Sequence, residues 1–117
     1  MNLLHFFKRN QEDKLNTNNI LDLKNIIEVL KEVIDPETGV NIVSLGLIYD
    51  LKLINQKIFI KMTMTTPACP MVGYLVDMTR ERLELMPEVT DVNITLVWEP
   101  VWSAMMMSED ARKQLGW

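Results

Sequence analysis

Lys57-Ile-Phe-Ile-Lys-Met-Thr-Met-Thr-Thr-Pro-Ala-Cys-Pro-Met-Val72 is the stretch on which the fold turns. Ile58, Ile60, Met62 and Met64 alternate with Phe59, Lys61, Thr63 and Thr65. A period of two marks a strand. Thr66-Pro-Ala-Cys-Pro70 interrupts it. Val72, Leu75, Val76, Thr79 and Leu83 then share one face of a helix from about Met71 to Leu85, which Met86-Pro87 ends. A strand that feeds a helix through a short loop needs a further strand to receive it. Val92, Ile94, Leu96 and Trp98 supply the alternation, with Trp98 expected in the core. Glu99-Pro100 ends that strand, because proline lacks the ladder donor.

Upstream, Leu47 to Ile54 has strand composition, and Asn55-Gln56 reads as the hairpin turn into Lys57. Ile20, Leu23, Ile27, Leu30 and Ile34 recur at helical spacing, widened by Ile26 and Val33. Asn18 or Asn19 suits the cap of that helix, and Pro36 is expected to stop it. Asp35-Pro-Glu-Thr-Gly39 is a turn, and Val40 to Gly46 a packed connection. Ser108, followed by Glu109 and Asp110, caps a last short helix. The order is α-β-β-α-β. It predicts a single α/β (α+β) domain over residues 20–117: a three-stranded mixed sheet, two helices on one face, and a short C-terminal helix. Residues 1–19 read as a flexible leader.

At 117 residues the chain has room for one domain and needs no disulfide or structural metal to fold. The formal net charge of −4 disfavours nucleic-acid binding, since the basic residues form no cluster larger than a pair such as Lys8-Arg9. No apolar run approaches the roughly 18 residues of a membrane span, and Met1 to Phe7 lacks a cleavage signal. No membrane partner is expected, and the expected compartment is cytoplasmic.

Cys69 is the one cysteine, so no internal disulfide forms and no four-ligand metal site can be filled by thiolates alone. It sits between a strand end and a helix start, where free amides and partial positive charge favour a thiolate. Pro67 and Pro70 stiffen the loop, and Pro70 is placed at the first helical position. The alternative is a small buried hydrophobe. A cysteine hydrolase would need an adjacent base, and the only histidine, His5, lies in the leader. The expectation is therefore a protein that is not a conventional enzyme.

Thr65 and Thr66 lead into the cysteine with hydroxyls that can bond the sulfur or the loop. Thr63 is read as an ordinary solvent-facing threonine. Asp35 is either a turn-maker or a functional carboxylate. Met105-Met-Met107 invites a Cu(I) site, but three consecutive methionines cannot face one point, so packing is the preferred reading. Trp102 and Met106 offer a partner surface.

Three stretches resemble one family. Asp35-Pro-Glu with Asn41-Ile-Val-Ser-Leu-Gly-Leu-Ile-Tyr49 is similar to its opening motif, and Thr65-Thr-Pro-Ala-Cys-Pro70 to its cysteine motif. Trp98-Glu-Pro-Val-Trp102, Met107-Ser108 and Leu115-Gly116 resemble its C-terminal signature. The family is the SufT/PaaD-like iron–sulfur cluster assembly family, related to the eukaryotic cytosolic iron–sulfur targeting factor. The resemblance spans about residues 20–117. It implies an α/β fold and a role in maturing iron–sulfur proteins. It also implies Cys69 as the functional thiol and tentative cluster ligand, with Thr65 and Asp35 as motif positions. The implied cofactor is an iron–sulfur cluster, transient or bridging between the subunits of a homodimer. The implied partners are iron–sulfur assembly proteins and apo client proteins. Ser44 departs from the pattern, standing where members often carry aspartate.

Overall fold

The computed structural model describes residues 21–117. The leader, the Asn18 or Asn19 cap and Ile20 lie outside these residues. Helix α1 spans Leu23–Leu30, and strands β1 and β2 span Ile48–Ile54 and Lys57–Met62. Helix α2 spans Val72–Glu84, strand β3 Asp91–Leu96, and helix α3 Glu109–Leu115 after a single 3-10 turn, Ala104–Met106. The sheet order is β1-β2-β3. β1 pairs antiparallel with β2, and β2 pairs parallel with β3. This is the expected α-β-β-α-β order and mixed sheet.

The hairpin turn is Asn55-Gln56, both residues at positive φ (49° and 67°), the backbone that matches strand twist. It sets the register Leu51↔Ile60 and Leu53↔Ile58 on one face, and Lys52↔Phe59 on the other. Ile58, Ile60 and Met62 are buried on the first face, beneath the helices. Leu75, Thr79 and Leu83 of α2 join Ile26 and Leu30 of α1 in the same core. Each fully buried aliphatic side chain contributes roughly 1.5–3 kcal/mol.

Two sequence readings are corrected. Helix α1, capped at its start by Asp22, whose side chain accepts from the Asn25 amide at 2.8 Å, stops at Leu30, short of Pro36. Tertiary pairing ends it: the Ile42 amide donates to the Val33 carbonyl, and Ile34 bridges Asn41. Ile34 is thereby 44% exposed and leaves the apolar stripe, while Val33 turns into the core. Trp98 lies beyond the last β3 residue and is 37% exposed, so it is not a core residue. The strand ends before it because the Val97 amide takes the final carbonyl of β2, that of Met62, at 2.8 Å. No described helix is long and apolar enough to cross a membrane.

Candidate functional site

Cys69 lies at the exit of the central strand. Past Met62 the chain continues through Thr63 and Met64, both buried, and emerges at Thr65. Thr66 makes the turn: its carbonyl accepts from the Cys69 amide at 3.1 Å, and its Oγ1 accepts from the Ala68 amide at 3.3 Å. Thr66, Pro67 and Pro70 are exposed, whereas Cys69 is half-buried and packs on the edge of the core. Helix α2 begins at Val72, so Pro70 is not its first residue. The Thr66–Cys69 turn fixes the chain before helical geometry starts at Val72, and Met71 caps α2 without a side-chain hydrogen bond. Among the described residues the first-turn amides of α2 thus have no side-chain cap at the end nearest the sulfur.

Thr63 is 1% exposed, contrary to the solvent-facing reading. Alternation puts it on the open face of the sheet, but its amide bonds the Leu47 carbonyl at 2.9 Å and the chain closes over it. Among the described residues its Oγ1 is buried without a partner. A buried unpaired hydroxyl is unfavourable by about 1–3 kcal/mol. Thr63→Val should therefore be neutral or stabilising by about 1 kcal/mol in urea unfolding. A clear loss of stability would show that the hydroxyl has a partner in solution.

Asp35 is buried and serves its own turn. Its carboxylate accepts from the Glu37 amide at 3.0 Å and the Thr38 hydroxyl at 3.4 Å. Among the described residues no hydrogen bond joins it to the cysteine loop. Trp102 is half-buried, and its Nε1 donates to the Leu45 carbonyl at 2.8 Å. Met106 Sδ accepts from the Tyr49 hydroxyl at 3.1 Å. Both side chains fasten the C-terminal segment to the domain. The three methionines diverge as expected: Met105 is 76% exposed and Met107 4%.

The structure joins two distant motifs. Ser44, Leu45, Gly46 and Tyr49 meet the segment 98–108. The Ser108 amide donates to the Ser44 carbonyl at 2.8 Å, and the one proton of the Tyr49 hydroxyl is shared between Met106 Sδ and the Pro100 carbonyl, the latter at 2.8 Å. Partial burial raises the pKa of Tyr49 above its ordinary value. Gly46, at φ 77°, lies directly against the Met106 backbone. Ser44 is held by Asn41, whose Nδ2 donates to its Oγ at 3.1 Å. Gly46 and Tyr49 lie in the motif that carries the family resemblance, but locally the only sign of their structural role is a glycine inside an apolar run.

Among the described residues no three His, Cys, Asp or Glu side chains gather to hold a metal ion. One thiolate does not make a resident cluster site. The family described as iron–sulfur cluster assembly protein matches residues 23–96. The chain belongs to this family. It is 40% identical over 94 residues to the Fe-S protein maturation auxiliary factor YitW of Bacillus subtilis, covering 80% of this chain and 92% of that one. It is 39% identical over 85 residues to the maturation auxiliary factor SufT of Staphylococcus aureus, covering 72% and 97%. A domain of unknown function from Bacillus anthracis shares the fold with a TM-score of 0.76 and 42% identity, over 80% of this chain and 90% of its own. A conserved hypothetical protein of Thermotoga maritima does so with a TM-score of 0.74 and 34% identity, over 85% and 98%. The family match ends at Leu96, so the interlocked segment 98–108 lies beyond it.

Proposed function

We propose that this iron–sulfur assembly family member is an auxiliary factor that helps build clusters or deliver them to apo-proteins, with Cys69 Sγ as one ligand to the cluster in transit. The reading is carried by the position of the chain's one cysteine: half-buried, on a proline-stiffened turn, between the central strand and an α2 terminus without a side-chain cap. The cluster is cargo. Its remaining ligands come from an assembly protein, an apo client or the Cys69 of a second copy, and a homodimer is the simplest bridging arrangement. Nothing is turned over, so the protein acts as a carrier and not as an enzyme, in the cytoplasm.

The test is anaerobic reconstitution with iron and sulfide, read by absorption and by mass in solution. A cluster band in the wild type that is absent from Cys69→Ser supports the carrier. The same band in both proteins overturns the assignment of Cys69. A band in neither points to the second reading, an adaptor that docks assembly factors. That reading is favoured by Val101 (73% exposed) and Met105 (76% exposed), which stand out from the fastened segment beside Trp102 and Met106.

A further inference from the structure

None of the described residues covers the sheet face away from the helices, and the strand register arranges its side chains in three rows. Asp50, Lys61 and Thr95 form the first; Lys52, Phe59 and Asn93 the second; Ile54, Lys57 and Asp91 the third. Phe59 stands at the centre, 37% exposed, over a concavity of about 290 Å³. Lys52 on β1 and Asn93 on β3 flank it across the sheet, and Lys57 and Lys61 lie two residues either way along β2. Ile54, at one corner, is 52% exposed.

Two properties set this face apart. It carries an exposed aromatic ring at mid-sheet, where a solvated face would carry polar residues. It also carries three lysines against two aspartates, on a chain with a formal net charge of −4. Among the described residues the one ion pair on the face is Lys52 Nζ to Asp50 Oδ2, at 3.8 Å between well-exposed side chains. Such a contact is worth little and exchanges readily. Lys57 and Lys61 have no ion-pair partner among the described residues.

We propose that this face docks an acidic segment of a partner protein that also carries an apolar side chain. Carboxylates would meet Lys52 and Lys61, and the apolar side chain would cover Phe59. The concavity is shallow and open, at the lower edge of the roughly 300–1,000 Å³ of small-molecule pockets, so it suits one protein side chain better than an enclosed ligand. A nucleic acid is the disfavoured occupant. Its charge extends beyond the patch and meets an acidic domain, whereas a short acidic segment ends within about one Debye length, roughly 8 Å at physiological salt. The surface is separate from the Cys69 loop and does not depend on its thiol.

The test is amide-resolved NMR titration of the full chain with a short synthetic peptide of glutamates and leucines. The shifts of Lys52, Phe59, Lys61 and Asn93 are expected to move together and to shrink with added salt. The same peptide with glutamine for glutamate should bind far more weakly. Reversing Lys52 and Lys61 to glutamate should weaken binding by roughly tenfold or more, through like-charge repulsion. Phe59→Ala should weaken it with the fold intact, and Cys69→Ser should leave it unchanged. Scattered shifts, no shifts at millimolar peptide, or indifference to charge reversal would overturn the proposal. So would tighter binding of an oligothymidylate to the same residues.

Discussion

Replacing Cys69 by serine is expected to reduce the maturation of iron–sulfur clients to the level of a strain that lacks the protein altogether. The substitution is nearly isosteric. The turn that presents Cys69 is made by its backbone amide on the Thr66 carbonyl, and the residue is half-buried at the margin of the core. Serine keeps that hydrogen bond and removes little packing, so the folded population should stay near wild type. What disappears is the thiolate, the species that ligates iron and exchanges clusters. The measurement is the activity of an iron–sulfur dehydratase in extracts, beside the cellular level and unfolding midpoint of the variant. Full client activity would remove Cys69 from the function. Lost activity with lost protein would place the defect in folding.

The fold was legible where the sequence is periodic and short-ranged. The alternation of Ile58, Ile60 and Met62 and the α2 stripe of Leu75, Thr79 and Leu83 are local patterns that tertiary packing simply uses. Helix α1 shows where local pattern yields. Ile34 fits the stripe, but the backbone of Val33 is needed by Ile42, and that pairing across the Asp35–Gly39 turn outweighs one more helical turn. Trp98 fails for a related reason: alternation continues in the sequence after the strand has ended. Thr63 was misread because strand parity says which face a side chain takes and not what covers that face. The cysteine loop was legible from its prolines and its place between strand and helix. Asp35 and Trp102 showed their contacts only once the turn and the C-terminal segment were in place. No periodicity links Leu45 to Trp102 across 57 residues.

That long-range lock carries the largest expected effect on stability. Gly46 has φ 77°, and a Cβ built there meets the carbonyl and Cβ of Met106. In Gly46→Ala two penalties add. A left-handed backbone is unfavourable for an L-residue by about 1–2 kcal/mol. Displacing the Met106 backbone from a packed contact adds about 1–3 kcal/mol. The sum, roughly 2–5 kcal/mol, is a large part of the 5–15 kcal/mol that holds a typical domain together. Gly39 provides the control within the same chain. Its φ is 74°, but nothing lies within 4 Å of the added carbon, so Gly39→Ala should show the backbone penalty alone. Urea unfolding of the two variants therefore separates conformation from contact. If both lose the same stability, the 98–108 segment does not rest on Gly46 in solution. If Gly46→Ala loses several-fold more, the contact is real, and the hydrogen bonds of Trp102 to Leu45 and of Tyr49 to Pro100 should loosen with it. A change in tryptophan fluorescence under native conditions would report that release before the core of Ile58, Ile60 and Leu30 gives way.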